Sequence, residues 1–75
     1  MGTFDKLRIL IADVLGVDEE LVRPETVPDE LEADSIDLMD IVGEAEQLFR
    51  VEVTDEAIEG FETFGDLANY IDARL

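Results

Sequence analysis

The chain has 75 residues, with 21 acidic side chains against 5 basic ones and neither His nor Cys, so its formal charge at pH 7 is −16. The length predicts a single small domain over residues 1–75. A charge this negative argues against binding to nucleic acid, because contacts to phosphate need clustered Lys and Arg. The absence of Cys and His excludes disulfides, thiolate zinc sites, Ser–His–Asp catalysis and Cys nucleophiles.

Apolar side chains are frequent enough to build a core. They make up 47% of the chain and are spread along it, whereas disordered acidic segments lack apolar surface. No apolar run approaches the roughly 20 residues that cross a bilayer, and the first residues lack the basic and apolar regions of a secretory signal. We therefore expect a soluble, cytoplasmic protein that is monomeric and has no stable membrane insertion.

The first predicted element is a helix over residues 4–15, with Thr3 as its N-cap. Gly16 follows as the residue that best tolerates the left-handed conformation in which many helices end. The apolar residues of this segment recur at helical spacing and predict a stripe that faces the core. The stripe consists of Phe4, Leu7, Leu10, Ile11, Val14 and Leu15.

A long connection over residues 17–34 separates the first two helices. Pro24 and Pro28 break helical continuity and favour extended conformations at the residues before them. Residues 18–22 have room for one turn. Connections of this length in small domains are usually functional or packed down, and apolar anchors predict packing here. The anchors are Leu21, Val22, Val27 and Leu31.

The second helix is predicted over residues 35–49, and Asp34 and Ser35 are both suitable N-caps. Asp37 places negative charge in the first turn, where the helix dipole favours it. Two apolar stripes follow. The broad, core-facing one contains Leu38, Ile41, Val42, Ala45, Leu48 and Phe49. Ile36 and Met39 lie partly off that stripe, and closing a core does not require them.

The rest of the chain predicts two further helices. Residues 51–53 alternate in hydrophobicity but have no partner strand, so we expect an extended link. Thr54 caps a short helix that ends at residue 58 or 59, before Gly60, and Phe61 is expected to enter the core. Thr63 caps a last helix over residues 64–74. The predicted fold is all-α, a small four-helix bundle of three main helices and a short third one, with a long first loop.

The acidic residues are concentrated around the second helix. No Lys or Arg lies between Arg23 and Arg50, while Asp37, Asp40 and Glu44 share one helix face. A solvated face is the simplest interpretation, but the missing cations and the second apolar stripe favour a partner surface. The acids do not have calcium-loop spacing, and an exposed helix offers no cleft for paired-carboxylate hydrolysis. We assign no metal ligand and no catalytic residue, and weak binding of divalent cations stays open.

Ser35 has two interpretations. A serine at the start of a helix is usually a cap. The sequence offers no base that would activate it as a nucleophile, so self-catalysis is excluded. A hydroxyl at a junction between a loop and a helix is nevertheless exposed, and another enzyme can modify it.

The residues around Ser35 resemble the phosphopantetheine attachment site of acyl carrier proteins. The segment Ala33-Asp34-Ser35-Ile36-Asp37-Leu38, preceded by Leu31, is similar to the common family pattern Leu-Gly-x-Asp-Ser-Leu-Asp. The likeness covers nearly the whole chain, because the order of helices, the loop with prolines and the acidic second helix also agree. Length and charge agree as well.

The resemblance implies that Ser35 carries phosphopantetheine from coenzyme A and that Asp34 takes part in recognition by a phosphopantetheinyl transferase. It further implies partners among acyl-transferring and chain-elongating enzymes with basic docking patches. The implied partner-binding residues are Ile36, Asp37, Met39, Asp40 and Glu46, and we add Glu44 because it shares the helix face of Asp37 and Asp40.

Three positions depart from the family pattern. Glu32 replaces the usual Gly, Leu38 stands where a small polar residue is common, and Gly43 occupies a helix position that is often apolar. They leave the cargo and the partners open. The implied function is a non-enzymatic carrier of acyl intermediates as thioesters, in type II fatty-acid biosynthesis. Alternatives are a carrier of polyketide, aminoacyl or D-alanyl cargo and, from another class, an acidic helical interaction module in which Ser35 is only a cap.

Overall fold

Four α-helices are present in the computed structural model, which describes residues 2–75. They are α1 (Thr3–Leu15), α2 (Ser35–Phe49), α3 (Asp55–Gly60) and α4 (Phe64–Asp72). Two 3₁₀ turns, Glu19–Leu21 and Pro28–Leu31, lie in the connection between α1 and α2. Residues 2–75 contain no strand, so the predicted all-α fold with a short third helix is confirmed.

The core lies between α1, α2 and α4. Leu7 and Ile11 of α1 meet Ile41 of α2 and Phe64 and Ile71 of α4, and all five side chains are almost fully shielded from solvent. Each such side chain contributes roughly 1.5–3 kcal/mol through burial. The helical spacing of these residues in the sequence therefore did predict which faces pack together.

Most helix ends follow local chemistry. Thr54 and Thr63 accept hydrogen bonds from the backbone N–H groups of Ala57 and Asp66, which confirms both as N-caps. Gly16 ends α1 with φ of 67°, as expected. The predicted cap of α1 was wrong, because Gly2 is the N-cap, and Thr3 is the first helical residue, with its hydroxyl donating to the Asp72 carboxylate instead.

Two further predictions about the helices were wrong. Leu48 does not face the core, and 52% of it is exposed, because Ile41, Val42 and Ala45 set the buried side of α2 and Leu48 falls at its margin. The last helix ends at Asp72, two residues earlier than expected. Its final carbonyls are used in a turn instead, as the N–H of Arg74 donates to Ile71 O.

The long connection is packed down, but partly by residues that the sequence did not single out. Val22 is fully buried and Leu31 packs against the core, whereas the expected anchors Leu21 and Val27 are exposed. Thr26 is the one buried polar residue within residues 2–75. Its hydroxyl donates to Leu21 O at 3.3 Å and accepts from the N–H of Arg23 at 3.0 Å, so this turn is closed by its own side chain.

The same connection is tied to the start of α4. The N–H of Phe64 donates to Thr26 O at 3.1 Å, and that of Gly65 donates to Pro24 O at 2.9 Å. Two of the N–H groups that a helix start leaves without a partner are thereby satisfied by the loop. Arg8 secures the other end, since its Nε donates to Val22 O at 2.9 Å. The loop before Ser35 is therefore held in place by contacts to α1 and α4.

Charge repulsion is barely relieved within the fold. In the part of the chain that the structure describes, Arg8 and Asp5 form the one ion pair, at 3.8 Å. We expect the melting temperature to rise by several degrees between 0.01 and 1 M NaCl, over which the Debye length falls from about 30 to about 3 Å. Calorimetry at constant pH measures this, and a constant or falling melting temperature would contradict it.

Candidate functional site

The start of α2 is built as a reciprocal cap. Asp34 is the N-cap, and its Oδ1 accepts from the N–H of Asp37 at 2.9 Å. The Oδ2 of Asp37 in turn accepts from the N–H of Asp34 at 3.3 Å. Such a box satisfies two backbone donors and fixes the direction in which the helix begins. Ser35 is the first residue after the cap, so the hypothesis that Ser35 itself is the cap does not describe this helix start.

Ser35 has a free hydroxyl. It is the only serine in the sequence, it is exposed, and no hydrogen bond of its side chain to another group in residues 2–75 is formed. The other aliphatic hydroxyls and the phenol all have partners within the protein. They belong to Thr3, Thr26, Thr54, Thr63 and Tyr70. Ser35 is thus the hydroxyl whose modification would break no contact of the fold.

The segment that leads to Ser35 is tightly turned. The N–H groups of Glu32 and Ala33 donate to Asp29 O and Pro28 O, both at 3.1 Å, and Ala33 is buried. Glu32 has φ of 58° and ψ of 29°, in the left-handed region that favours glycine. The departure from Gly at this position therefore carries backbone strain three residues before Ser35. In the sequence, the only sign of this strain is that Glu32 stands where the family pattern has glycine.

Replacing Glu32 with glycine should stabilise the protein by about 1 kcal/mol, because a Cβ in the left-handed region costs roughly that amount. The Glu32→Ala variant is the matched control, since it removes the same charge but keeps the Cβ. In urea unfolding, the free energy of unfolding should be higher for Glu32→Gly than for Glu32→Ala. Equal stabilities of the two variants would show that the backbone at residue 32 is not strained.

The outer face of α2 next to Ser35 combines apolar and acidic side chains. Ile36 is 74% exposed and Met39 is 58% exposed, and their spacing of three residues makes them neighbours on the solvent side of the helix. Asp40 and Glu44 are exposed on the same side of the helix. The two stripes predicted on this helix are therefore separate surfaces, one in the core and one facing solvent.

Two of the predicted partner-binding acids have structural partners. Asp37 is half-buried and belongs to the cap described above. Glu46 lies near the other end of α2, where its Oε2 accepts from the N–H of Val53 at 3.0 Å. The structure thus brings Ser35, Ile36, Met39 and Asp40 together and uses Glu46 to hold the extended link between α2 and α3.

An apolar cavity lies beside this site. It has a volume of about 40 Å³. Its lining comes from the second 3₁₀ turn, α2, α3 and α4: Pro28, Leu38, Ile41, Val42, Ile58, Phe61, Glu62, Thr63, Phe64 and Leu67. Leu38 lies about one helical turn after Ser35, so the wall of the cavity includes a residue from the same side of α2 as Ser35.

Comparisons with known proteins agree with this geometry. The family model described as phosphopantetheine attachment site matches residues 5–71. An acyl carrier protein of Clostridium perfringens is 44% identical over 69 residues, which is 91% of this chain and 91% of the relative. The chain belongs to the acyl carrier protein family. An acyl carrier protein of Streptococcus thermophilus is 39% identical over 74 residues, or 99% of this chain and 97% of the relative.

Membership makes this acyl carrier protein a carrier rather than an enzyme, with phosphopantetheine as its covalent prosthetic group. The residues at the start of α2 fit such a group, because the Ser35 hydroxyl is exposed and free of internal partners. Residues 2–75 include no cluster of three or more acidic side chains arranged to hold a metal ion. None of the helices in that range is both long and apolar enough to pass through a bilayer.

Proposed function

We propose that Ser35 is the residue to which phosphopantetheine is attached, and that the carrier serves type II fatty-acid biosynthesis. The observation that carries the proposal is the free, exposed hydroxyl of the only serine, held directly behind the Asp34 cap. When attached, the group supplies a flexible arm whose terminal thiol holds an acyl cargo as a thioester. Residues 1–75 act together as one carrier domain.

The attachment step needs a second enzyme. Ser35 Oγ forms a bond to the phosphorus nearest the pantetheine end of coenzyme A, the pyrophosphate P–O bond breaks, and adenosine 3′,5′-bisphosphate leaves. The hydroxyl proton passes to a base of the transferase. The chain supplies no such base, because it has no His and because the carboxylates of Asp34 and Asp37 accept hydrogen bonds from the backbone.

Asp34 has two roles in this proposal. Its carboxylate caps α2 and thereby fixes where Ser35 projects, and its exposed edge is recognised by the transferase. Ile36, Met39, Asp40 and Glu44 form the docking surface for the transferase and for acyl-transferring and elongating enzymes, with Asp37 and Glu46 at its margins. Basic patches on those enzymes complement a helix face without any Lys or Arg. The carrier works as a cytoplasmic monomer.

The apolar cavity favours an aliphatic acyl cargo. Its lining is almost entirely hydrocarbon, so a growing alkyl chain gains free energy by entering it. An aminoacyl or D-alanyl cargo carries an ammonium group, and this charge is costly to bury in a cavity to which Glu62 and Thr63 alone contribute polar side chains. A polyketide cargo shares the thioester chemistry and remains the second candidate.

A thiol count tests the function directly, because the chain has no cysteine. Purified apo protein is incubated with coenzyme A and a transferase of broad specificity, freed of small molecules, and titrated with a thiol reagent. We expect one thiol per chain and an intact mass raised by one phosphopantetheinyl group. No thiol and no added mass would instead favour the acidic interaction module.

A further inference from the structure

Leu38 separates the apolar cavity from the surface. An open depression lies outside the cavity, lined by Val27, Pro28, Asp29, Leu38, Phe61 and Glu62. Four of these residues also line the cavity itself: Pro28, Leu38, Phe61 and Glu62. They form the partition between the two spaces, and Leu38 is the member that α2 contributes one turn after Ser35.

The side of the partition opposite α2 is fixed. The backbone N–H groups of Glu62 and Thr63 both donate to Asp66 Oδ2, at 2.8 and 3.1 Å. These hydrogen bonds lower the pKa of Asp66 below its usual value. The ring of Phe61 packs edge-on against Tyr70, with 5.5 Å between centroids. Opening the partition on this side would break these contacts.

Pro28 is fixed as well. It is the first residue of the second 3₁₀ turn, where its ring locks φ, and its carbonyl accepts from Ala33 N–H. Leu38 differs from both neighbours, because it is a half-buried side chain on a regular helix. It can change rotamer without any change in the backbone, and two χ1 rotamers are open to leucine in helices.

We propose that Leu38 is the gate of the cavity and sets the length of acyl cargo at which enclosure begins. This inference rests on the proposed function of Ser35 and adds a residue that determines cargo specificity. A cavity of about 40 Å³ is much smaller than the cavity of roughly 150 Å³ that binds one benzene molecule, so it cannot hold an alkyl chain while the gate is closed. Short cargo stays outside. Longer cargo gains enough apolar burial to displace the Leu38 side chain.

The gate is tested on protein loaded with butanoyl, hexanoyl, octanoyl or decanoyl groups carrying a ¹³C-labelled terminal methyl. Nuclear Overhauser effects from that methyl to Ile58 and Leu67 side chains report enclosure. In Leu38→Ala we expect enclosure to begin about three carbons earlier than in wild type, since three side-chain carbons are removed. In Leu38→Phe it should begin later. Leu48→Ala, the same change at an exposed position of the same helix, should leave the threshold unchanged.

A second experiment does not require an acyl group on the protein. Xenon binds dry apolar cavities, so methyl shifts of unmodified protein under xenon pressure report access and volume. Leu38→Ala should bind xenon at least about threefold more tightly than wild type, and Leu48→Ala should match wild type. If the intact mass shows that no acyl-phosphopantetheine group has been attached, the proposed function is refuted. The xenon experiment on unmodified protein still tests the gate in that case. Identical thresholds or identical xenon affinities in the Leu38 variants and wild type would overturn the gate.

Discussion

Replacing Gly65 with alanine should destabilise the protein by about 2–3 kcal/mol, although alanine is the better helix former. A Cβ at this position would lie 2.6 Å from Pro24 O and 3.2 Å from the Pro24 Cβ. The same carbonyl accepts the N–H of Gly65 at 2.9 Å, so the close approach and the hydrogen bond depend on each other. Overpacking and the loss of this bond give the expected magnitude. Calorimetry should show a melting temperature lower by roughly 8–20 °C.

Gly43→Ala is the matched control for this prediction. Gly43 lies inside α2, and a Cβ there would meet no atom within 4 Å. The variant should therefore gain the helix propensity of alanine, about 0.5–1 kcal/mol, without any steric cost. The two changes are chemically identical and should have opposite signs. A Gly65→Ala variant as stable as wild type would show that the loop is not docked on the start of α4.

Reversing the charge of Asp40 should lower kcat/KM of the transferase for this carrier at least about tenfold at low salt. Asp40 is exposed beside Ile36 and Met39, on a face without any cation to compensate it. A basic docking patch would then meet a lysine at the centre of the contact, which slows encounter and weakens the complex. The difference between Asp40→Lys and wild type should shrink as NaCl screens the charges.

The control for Asp40 is the same reversal at Asp13. Asp13 is exposed on α1, beside the first 3₁₀ turn, and both variants change the net charge equally. Steady-state kinetics of phosphopantetheinyl transfer compare them at several salt concentrations. If Asp13→Lys slows transfer as much as Asp40→Lys does, only the overall charge matters, and the docking surface on α2 is refuted.

Local sequence chemistry predicted most of the helices. Caps such as Thr54 and Thr63 act through hydrogen bonds to residues three positions on, so their effect is contained in a few neighbouring residues. Core-facing stripes could be predicted because burial follows the helical period. Leu48 shows the limit of that rule, since it stands at the edge of the stripe, and only the placement of α1 decides whether an edge residue is covered.

Tertiary contacts could not be predicted in the same way. Gly65 is an ordinary residue of the last helix in the sequence, and its close approach to Pro24 joins segments that are 41 residues apart. The gate formed by Leu38 likewise depends on Phe61 and Pro28, which the fold brings to it. At Ser35 the sequence predicted the site through the family pattern, whereas the free hydroxyl and the cap by Asp34 are properties of the folded helix start.

The acidity of the chain has one consequence for function and another for stability. In the proposed function, carboxylates without cationic partners make the face around Asp40 complementary to basic docking patches, and the same carboxylates repel one another within the fold. The free energy lost by this repulsion is offset by the packed core and by the caps. Salt should therefore stabilise the isolated carrier while it weakens transfer to partners, and the two effects can be measured on one preparation.

The most direct test of the account is to locate the added group by fragmentation mass spectrometry after reaction with coenzyme A and a transferase. Wild type and Ser35→Ala are compared under identical conditions, with circular dichroism to confirm that both are folded. Because Ser35 is the only aliphatic hydroxyl without an internal partner within residues 2–75, we predict one phosphopantetheinyl group on Ser35 of wild type and none on the variant. An equal mass gain in Ser35→Ala, or modification of a threonine in wild type, would contradict it.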